Sequence, residues 1–345
     1  MISTLRMKYF RSHKNVSFNF SEKTNIILGK NGSGKTNIIE AILVLATGKS
    51  YRAKDTYLIQ NTSDTSLIEG FFDGKKRTIT INTTQPKKIT INNNTFSRMS
   101  FNNTIPVVLF EPDFMQIIAR GPDTRRDYFD TILSKTTPNY QTKINTYKRI
   151  ITQRNNLLKR QTFSRDEMFV WNIKLSELAT MITTERVNLL KSVNNQISSI
   201  YSKLADKKYD ISINYQTKIQ LDNYTNDLLK KLESNLDIDK DQGFTSFGPH
   251  RDDFLFKINK KDASTSASRG ENRTILLALK IIESNLIKEV RQVKPILLLD
   301  DVFSELDEVR QAKLVDFFYD NQVIITTTNI NPLMAGVDGN IITIN

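Results

Sequence analysis

"TNIILGKNGSGKT", residues 24–36, runs from an apolar stretch through a glycine-rich turn into a helix-like segment that reaches about Leu45. Its last eight residues fit G-x-x-x-x-G-K-[ST], and a strand before with a helix after is the context a phosphate-binding loop requires. Gly29, Gly32 and Gly34 let backbone N–H groups converge on the β- and γ-phosphates, and the helix N-terminus adds its positive dipole. Lys35 supplies a point charge and Thr36 a hydroxyl for Mg²⁺. The candidate ATP-binding residues here are Gly29, Lys30, Asn31, Gly32, Ser33, Gly34, Lys35 and Thr36.

The complementary motif lies near the other end. "PILLLDD", residues 295–301, is an apolar run that stops at two adjacent aspartates. Neighbouring carboxylates repel each other, so a cation is expected between them and their work. Read as a Walker B strand, the run gives Asp300 to Mg²⁺, usually through water, and Asp301 to orienting or deprotonating the attacking water. Asp301 and Lys35 are thus the candidate catalytic residues, and Thr36 and Asp300 the candidate metal ligands. An aspartate capping a helix would explain one of the pair, not both. In "ASRGENRTILLALKII", residues 267–282, a serine and a glycine precede an amphipathic helix and offer a hydroxyl, free N–H groups and a dipole to an anion. With one triphosphate already held at the P-loop, a second such start points to a nucleotide on a partner subunit, against the plain alternative of an ordinary helix N-terminus.

The two halves of the site are far apart in sequence, and what separates them is informative. "ISTLRMKYF" and "VSFNF" are β-patterned runs, and "SLIEGFF", "RTITIN" and "KKITIN" alternate with Gly and Asn turns and predict a β-meander. From about Asp123 to Leu204 glycine vanishes. Apolar residues then recur at helical spacing (Leu157, Leu158, Trp171, Leu175, Leu178, Ile182, Leu189, Val193, Ile197), which predicts helices near 140–160 and 167–204. A helix of about 35 residues is on the order of 50 Å long, so it is expected to project as an arm inserted into a split nucleotide-binding domain. The Ser-rich "KKDASTSAS", residues 260–268, reads as a flexible loop.

Composition narrows the partners. The chain has 345 residues, and 39% of them are hydrophobic, enough for a core and too few for a membrane protein. No stretch approaches a membrane span, and the early charge in "MISTLRMKYF" is unlike a signal peptide. With no cysteine there are no disulfides or thiolate metal sites, and a cytoplasmic setting is expected. The only histidines, His13 and His250, are too distant in sequence to suggest zinc. Lys and Arg outnumber Asp and Glu, 49 to 37, for a net charge of +12. That excess favours a polyanionic partner, nucleic acid or an acidic surface, against the plain alternative of AT-rich codon usage. Segment 141–160 carries Lys143, Lys148, Arg149, Arg154, Lys159 and Arg160 with no acidic residue. A solvated helix face would explain it; contact with a DNA backbone is the preferred reading. Arg125 and Arg126 bind phosphate or form ion pairs with nearby aspartates. For His250 and Arg251, a packed turn with Arg251 anchored to a carboxylate is expected in place of catalysis.

Taken together, "GKNGSGKTNIIEAI", "GKSYR", "GPDTRRDYFD", "FGPHRDD", "ASRGENRT" and "ILLLDDVFSELD" resemble the RecF family, bacterial DNA-repair ATPases related to SMC-type and ABC-type heads. The similarity runs in order from "LRMKYFRSH" to "VIITTT". It implies an α/β fold: an ABC/SMC-like P-loop ATPase head over 1–110 and 240–345, with an inserted, mainly helical arm at 111–239. Ser268 and Gly270 fall on the ABC-type signature, which in such proteins meets the γ-phosphate held by the opposite subunit. Asp307 falls on the D-loop, Thr327 or Thr328 on the switch position, and Gln116 or Glu111 on the Q-loop. The resemblance further implies DNA as partner (gapped, single- or double-stranded), an ATP-dependent homodimer, weak DNA-stimulated ATP hydrolysis, and RecO- and RecR-type mediators in loading RecA at gaps. The signature departs from the usual "SQGQQ": here it reads "SRGEN", which changes its charge. The residue before "GP" of the Arg-Arg box is Arg120, where a small residue is usual. Two other readings compete. A small-molecule P-loop phosphotransferase needs free arginines near the phosphates. An OLD-type nuclease needs a further domain that the chain is expected to lack.

Overall fold

The computed structural model describes residues 1–160, 162–303, 306–329 and 339–344, with Met115 described by its backbone alone. It resolves into two compact units, Met1–Phe114 with Glu283–Asn345, and Met115–Ile282.

The first unit begins with β1 (Ile2–Phe10), β2 (His13–Asn19), β3 (Thr24–Leu28) and α1 (Lys35–Thr47). Then come β4 (Thr65–Phe72), β5 (Lys75–Asn82), β6 (Lys88–Ile91), β7 (Asn94–Phe96) and β8 (Val107–Phe110). The expected meander is present as β4-β5-β6, within an antiparallel sheet in the order β2-β1-β4-β5-β6-β7. Burial alternates along β4 and β5 with the two-residue period of strands that cover a core on one face.

The second unit contains α2 (Pro122–Thr136), α3 (Tyr140–Leu158), α4 (Arg165–Ala205) and β9 (Ile211–Gln216). Next are α5 (Tyr224–Ser234), α6 (Leu236–Gln242), β10 (Asp253–Ile258), β11 (Lys261–Asp262) and α7 (Ala263–Ser266). α4 is 41 residues long, about 60 Å at the helical rise. Ser164 starts it by accepting a hydrogen bond from the Glu167 amide. Its buried stripe includes Leu175, Ile182, Leu189, Val193 and Ile197, positions whose spacing predicted the helix. Trp171 packs against the small cluster of Leu157, Leu158 and Met168.

The chain then passes through α8 (Arg269–Arg291) to β12 (Ile296–Asp300), α9 (Glu308–Phe317), β13 (Val323–Thr327) and β14 (Gly339–Thr343). These strands complete an all-parallel sheet in the order β14-β3-β13-β12-β8. Every residue of β8, β12 and β13 is buried, as uninterrupted apolar strands covered on both faces require. α1 contacts strands of both sheets in this unit. Its residues Ile38 to Ala46 are all buried, Glu40 among them.

Side chains of the second unit meet some of these expectations and depart from others. Arg154, grouped above with a DNA-facing charge run, is fully buried and ion-paired to the equally buried Asp239 at 2.7 Å. It also donates to Asn172 and Thr245. The reason is periodic: Tyr147, Ile150, Arg154 and Leu157 lie on the one face of α3 that is buried. Lys148, Arg149, Lys159 and Arg160 remain exposed. Arg125 makes a two-pronged ion pair with Asp253 at 2.8 and 2.7 Å. Arg126 donates to the Asp252 carbonyl and pairs with Asp123. His250 is packed between the Tyr147 hydroxyl at 2.7 Å and the Thr245 carbonyl at 3.1 Å. Arg251 is not anchored to a carboxylate; it donates to the Thr245 carbonyl and lies over the Phe244 ring. The segment 260–268 is not a loop throughout, because Asp262 caps α7 through the Ser264 amide.

Candidate functional site

β3 ends at Leu28 and α1 starts at Lys35, so the P-loop spans the gap between a buried strand and a buried helix. The Lys35 ammonium donates to the Gly29 and Lys30 carbonyls at 2.7 and 2.9 Å, drawing the loop around its own charge. Gly34 has φ 93°, and a Cβ there would lie 2.5 Å from the His13 ring. A left-handed backbone and a close neighbour both demand glycine. His13 Nε2 also lies 3.1 Å from the Gly34 carbonyl, so the β1–β2 turn supports the loop from behind. Ser33 Oγ is buried without a hydrogen-bond partner, a polar atom left available within the loop.

The Walker B aspartate meets this loop. Thr36 Oγ1 donates to Asp300 Oδ1 at 3.0 Å, and Thr326 Oγ1 donates to the same oxygen at 2.8 Å. Asp300 is 5% exposed. Burial pushes its pKa up, while the two threonine hydroxyls pull it down. A desolvated carboxylate beside a hydroxyl is a hard oxygen donor set of the kind that binds Mg²⁺ with help from phosphate oxygens. Asp301 follows in a left-handed conformation, φ 53°, which ends the strand. Its amide donates to Thr326 Oγ1 at 3.0 Å, so this one threonine side chain contacts both aspartates. Thr327 reaches the P-loop through its backbone, accepting from the Gly29 amide at 3.3 Å, while its hydroxyl is turned toward the Asn329 carbonyl.

Sequence reading passed over a second layer. Glu40, fully buried on α1, accepts two bonds from Arg11 at 2.9 and 2.8 Å and one from Arg52 at 3.0 Å. Burial alone would raise its pKa; the hydrogen bonds from Arg11, Arg52 and Ser50 hold it below the ordinary carboxylate range. Arg52 also donates to Asn37, one residue past the P-loop threonine. Arg11, Asn37, Arg52, Lys54 and Tyr57 line an open, cationic depression beside α1. The visible signal was an acidic residue inside an otherwise apolar helix stretch, "NIIEAILVLA". Thr326 carried a weaker one, as the first of three threonines ending a buried strand.

The remaining candidates take up distinct roles. Burial raises the pKa of the Tyr51 hydroxyl, and the charges of Asp300 and Glu111 add to the effect. Glu111 therefore lies in the electrostatic neighbourhood of Tyr51. Gln116, in the second unit, accepts from Arg120. Asp307 caps α9 through the Arg310 amide at 2.9 Å and is paired with the Arg310 side chain. Ser304 and Glu305, between Asp301 and Asp307, lie outside the described residues. In the second unit, Ser268 opens α8, and the Gly270 carbonyl accepts from Thr274. Among the described residues no helix is long and apolar enough to cross a membrane.

Comparison with known proteins adds to this geometry. The family model described as "RecF/RecN/SMC N terminal domain" matches residues 1–343. The DNA replication and repair protein RecF of Lachnoclostridium phytofermentans is 35% identical over 339 residues, covering 96% of this chain and 93% of that protein. The protein so described from Clostridium botulinum (strain Alaska E43 / Type E3) is 34% identical over 344 residues, covering 98% and 95%. A solved structure of the recombination mediator protein RecF-ATPrS in the RecFOR pathway superposes with a TM-score of 0.90 at 29% identity, covering 100% of this chain and 96% of that one. An Smc head bound to the C-terminal winged-helix domain of ScpA superposes at 0.55 with 17% identity, covering 98% and 92%. That likeness shows the fold alone, an α/β head of the SMC type.

Proposed function

The chain belongs to the RecF family, and on that premise we propose that it is an ATP-dependent DNA-binding protein of recombinational repair and replication-fork maintenance. The observation that carries this reading is the bond between Thr36 and Asp300, which brings together the two motifs of the proposed nucleotide site from distant parts of the sequence. The relatives support it twice: they are named as replication and repair proteins, and solved neighbours are described as RecF with ATP in the RecFOR pathway.

In the proposed cycle, Lys35 leaves its own carbonyls for the β- and γ-phosphates. Thr36 and Asp300 would hold Mg²⁺, which when bound neutralises charge on the phosphate oxygens. Asp301 positions the attacking water. Two copies pair on ATP, with Ser268 and Gly270 of one meeting the γ-phosphate held by the other, and Asp307 and Thr327 completing each composite site. Helical segment 111–239 is the arm, and exposed Lys148, Arg149, Lys159 and Arg160 offer phosphate-backbone contacts. Slow, DNA-stimulated hydrolysis then releases the pair, with mediator proteins of the RecO and RecR type helping to load RecA at gaps. The phosphotransferase alternative loses its arginines, since Arg125 and Arg126 are both held in ion pairs.

Two measurements test the reading together. In sedimentation with and without ATP, a shift from monomer to dimer on adding nucleotide is expected; an unchanged monomer removes the mechanism. DNA binding to gapped, single-stranded and duplex substrates across a salt series is expected to strengthen with ATP and weaken with salt.

A further inference from the structure

We propose that Glu271 restrains the ATP-driven pairing of two copies by fixing a negative charge at the loop where the γ-phosphate must dock. The proposal rests on the reading above that Ser268 of one copy meets the nucleotide of the other.

Ser268 and Glu271 form a reciprocal cap at the start of α8. The Ser268 amide donates to Glu271 Oε2 at 2.7 Å, and the Glu271 amide donates to Ser268 Oγ at 3.2 Å. This S-x-x-E arrangement satisfies two orphan donors of a helix start. It engages both groups of Ser268. The hydroxyl accepts a bond, which orients it beside the Glu271 carboxylate. The backbone N–H, the other natural phosphate donor, is already taken by a carboxylate.

That carboxylate stays ionised. The Ser268 amide holds its pKa below the usual range, and Ser268, Tyr209 and Lys207 act in the same direction. A triphosphate that approaches Ser268 therefore meets a full negative charge one hydrogen bond away. Either the phosphate tolerates the repulsion, or Glu271 releases the amide and the first turn of α8 loses its cap. Both routes oppose pairing. Arg269, exposed next to Ser268, offsets part of the repulsion without removing it, since Glu271 is the group bonded to the docking residue.

Glutamine separates charge from capping, because its amide oxygen also accepts the Ser268 N–H. The test is sedimentation of the full chain with a non-hydrolysable ATP analogue, comparing the natural protein with Glu271→Gln and Ser268→Arg. Glu271→Gln is expected to lower the dimer Kd at least about tenfold, as removal of a close like charge should. The advantage should shrink as ionic strength rises to about 0.5 M, where the Debye length falls to a few ångströms. Nucleotide binding by each variant, measured separately at the P-loop, establishes that it is folded. If Ser268→Arg binds nucleotide and still pairs normally, the two-subunit reading itself fails. If Ser268→Arg abolishes pairing while Glu271→Gln pairs no more tightly than the natural protein, the role of Glu271 alone is overturned.

Discussion

Thr36 Oγ1 and Asp300 Oδ1 lie 3.0 Å apart although 264 residues separate them in sequence. The strand order explains the meeting. β13 lies between β3 and β12, so the P-loop strand and the Walker B strand are next-but-one neighbours in a parallel sheet. The first turn of α1 then brings Thr36 to the carboxyl end of β12. Ligands of open α/β sheets bind at that end of the strands.

Asp300→Asn keeps the size of the side chain and an acceptor for both threonines while removing the charge. ATP affinity in the presence of Mg²⁺ is expected to fall by about one to two orders of magnitude, the usual consequence of losing a charged partner. Affinity without Mg²⁺ should change little. Titration with a fluorescent ATP analogue, with and without Mg²⁺, checks this. An undiminished Mg²⁺ effect in the variant would remove Asp300 as a metal ligand.

For Asp301→Asn, turnover should drop by about 10²–10⁴, the range for loss of a general base. Nucleotide binding should persist and an ATP-bound dimer should accumulate. ATP turnover and sedimentation on the same sample decide the matter. Rapid hydrolysis by the variant would reject the role given to Asp301.

Arg154→Ala leaves Asp239 charged, fully buried and without its ion pair. A destabilisation of about 3–5 kcal/mol is expected, read as a shift in the urea midpoint. The double change Lys148→Ala, Arg149→Ala alters only exposed side chains. It should leave stability intact and weaken DNA binding, with the salt slope falling by about one for each phosphate no longer neutralised. Normal stability in Arg154→Ala together with weakened DNA binding would contradict the buried, ion-paired position of Arg154.

His250 gives a pH signature. Burial, together with the neighbouring charges of Arg251, Arg126 and Arg154, lowers its pKa from 6.5 to about 4. The Thr245 carbonyl can only accept, so Nε2 donates to it, and Nδ1 accepts from Tyr147. The unfolded chain takes up a proton below about pH 6.5 and the native state only near 4. Stability is therefore full above 6.5 and falls between those values, by about 2 kcal/mol from pH 7.5 to pH 5. His250→Gln retains a donor and an acceptor and should flatten that part of the urea-midpoint profile. An unchanged slope would show that His250 is not the group responsible.

The sequence announced the candidate site because its parts are local: glycines at fixed spacing, and a run of apolar residues cut off by carboxylates. It announced the meander and α4 because hydrophobic period separates strand from helix. It was misread where a charged residue shares an apolar face. Arg154 has the periodic position of a core residue, and its counter-charge Asp239 lies in α6, on another element. Arg125 likewise finds Asp253 across 128 residues, a partnership that no local pattern specifies. Glu40 was legible in principle, as the one acid in an apolar helix stretch, although its partners Arg11 and Arg52 come from separate turns. The S-x-x-E cap at Ser268 is a local pattern and legible in the sequence.

The position of β3 between β13 and β14 sets a timetable for the ribosome. Once β3 has emerged, about 300 further residues must be translated before its β13 neighbour exists, roughly 15–60 s at ordinary elongation rates. Throughout that interval the nascent chain carries an unpaired Ile-Ile-Leu strand. Among the described residues, the early meander, whose strands are all encoded before Val107, is the sheet of this unit able to close meanwhile. Newborn copies, far more than finished ones, are therefore where holdase chaperones should be found on this protein.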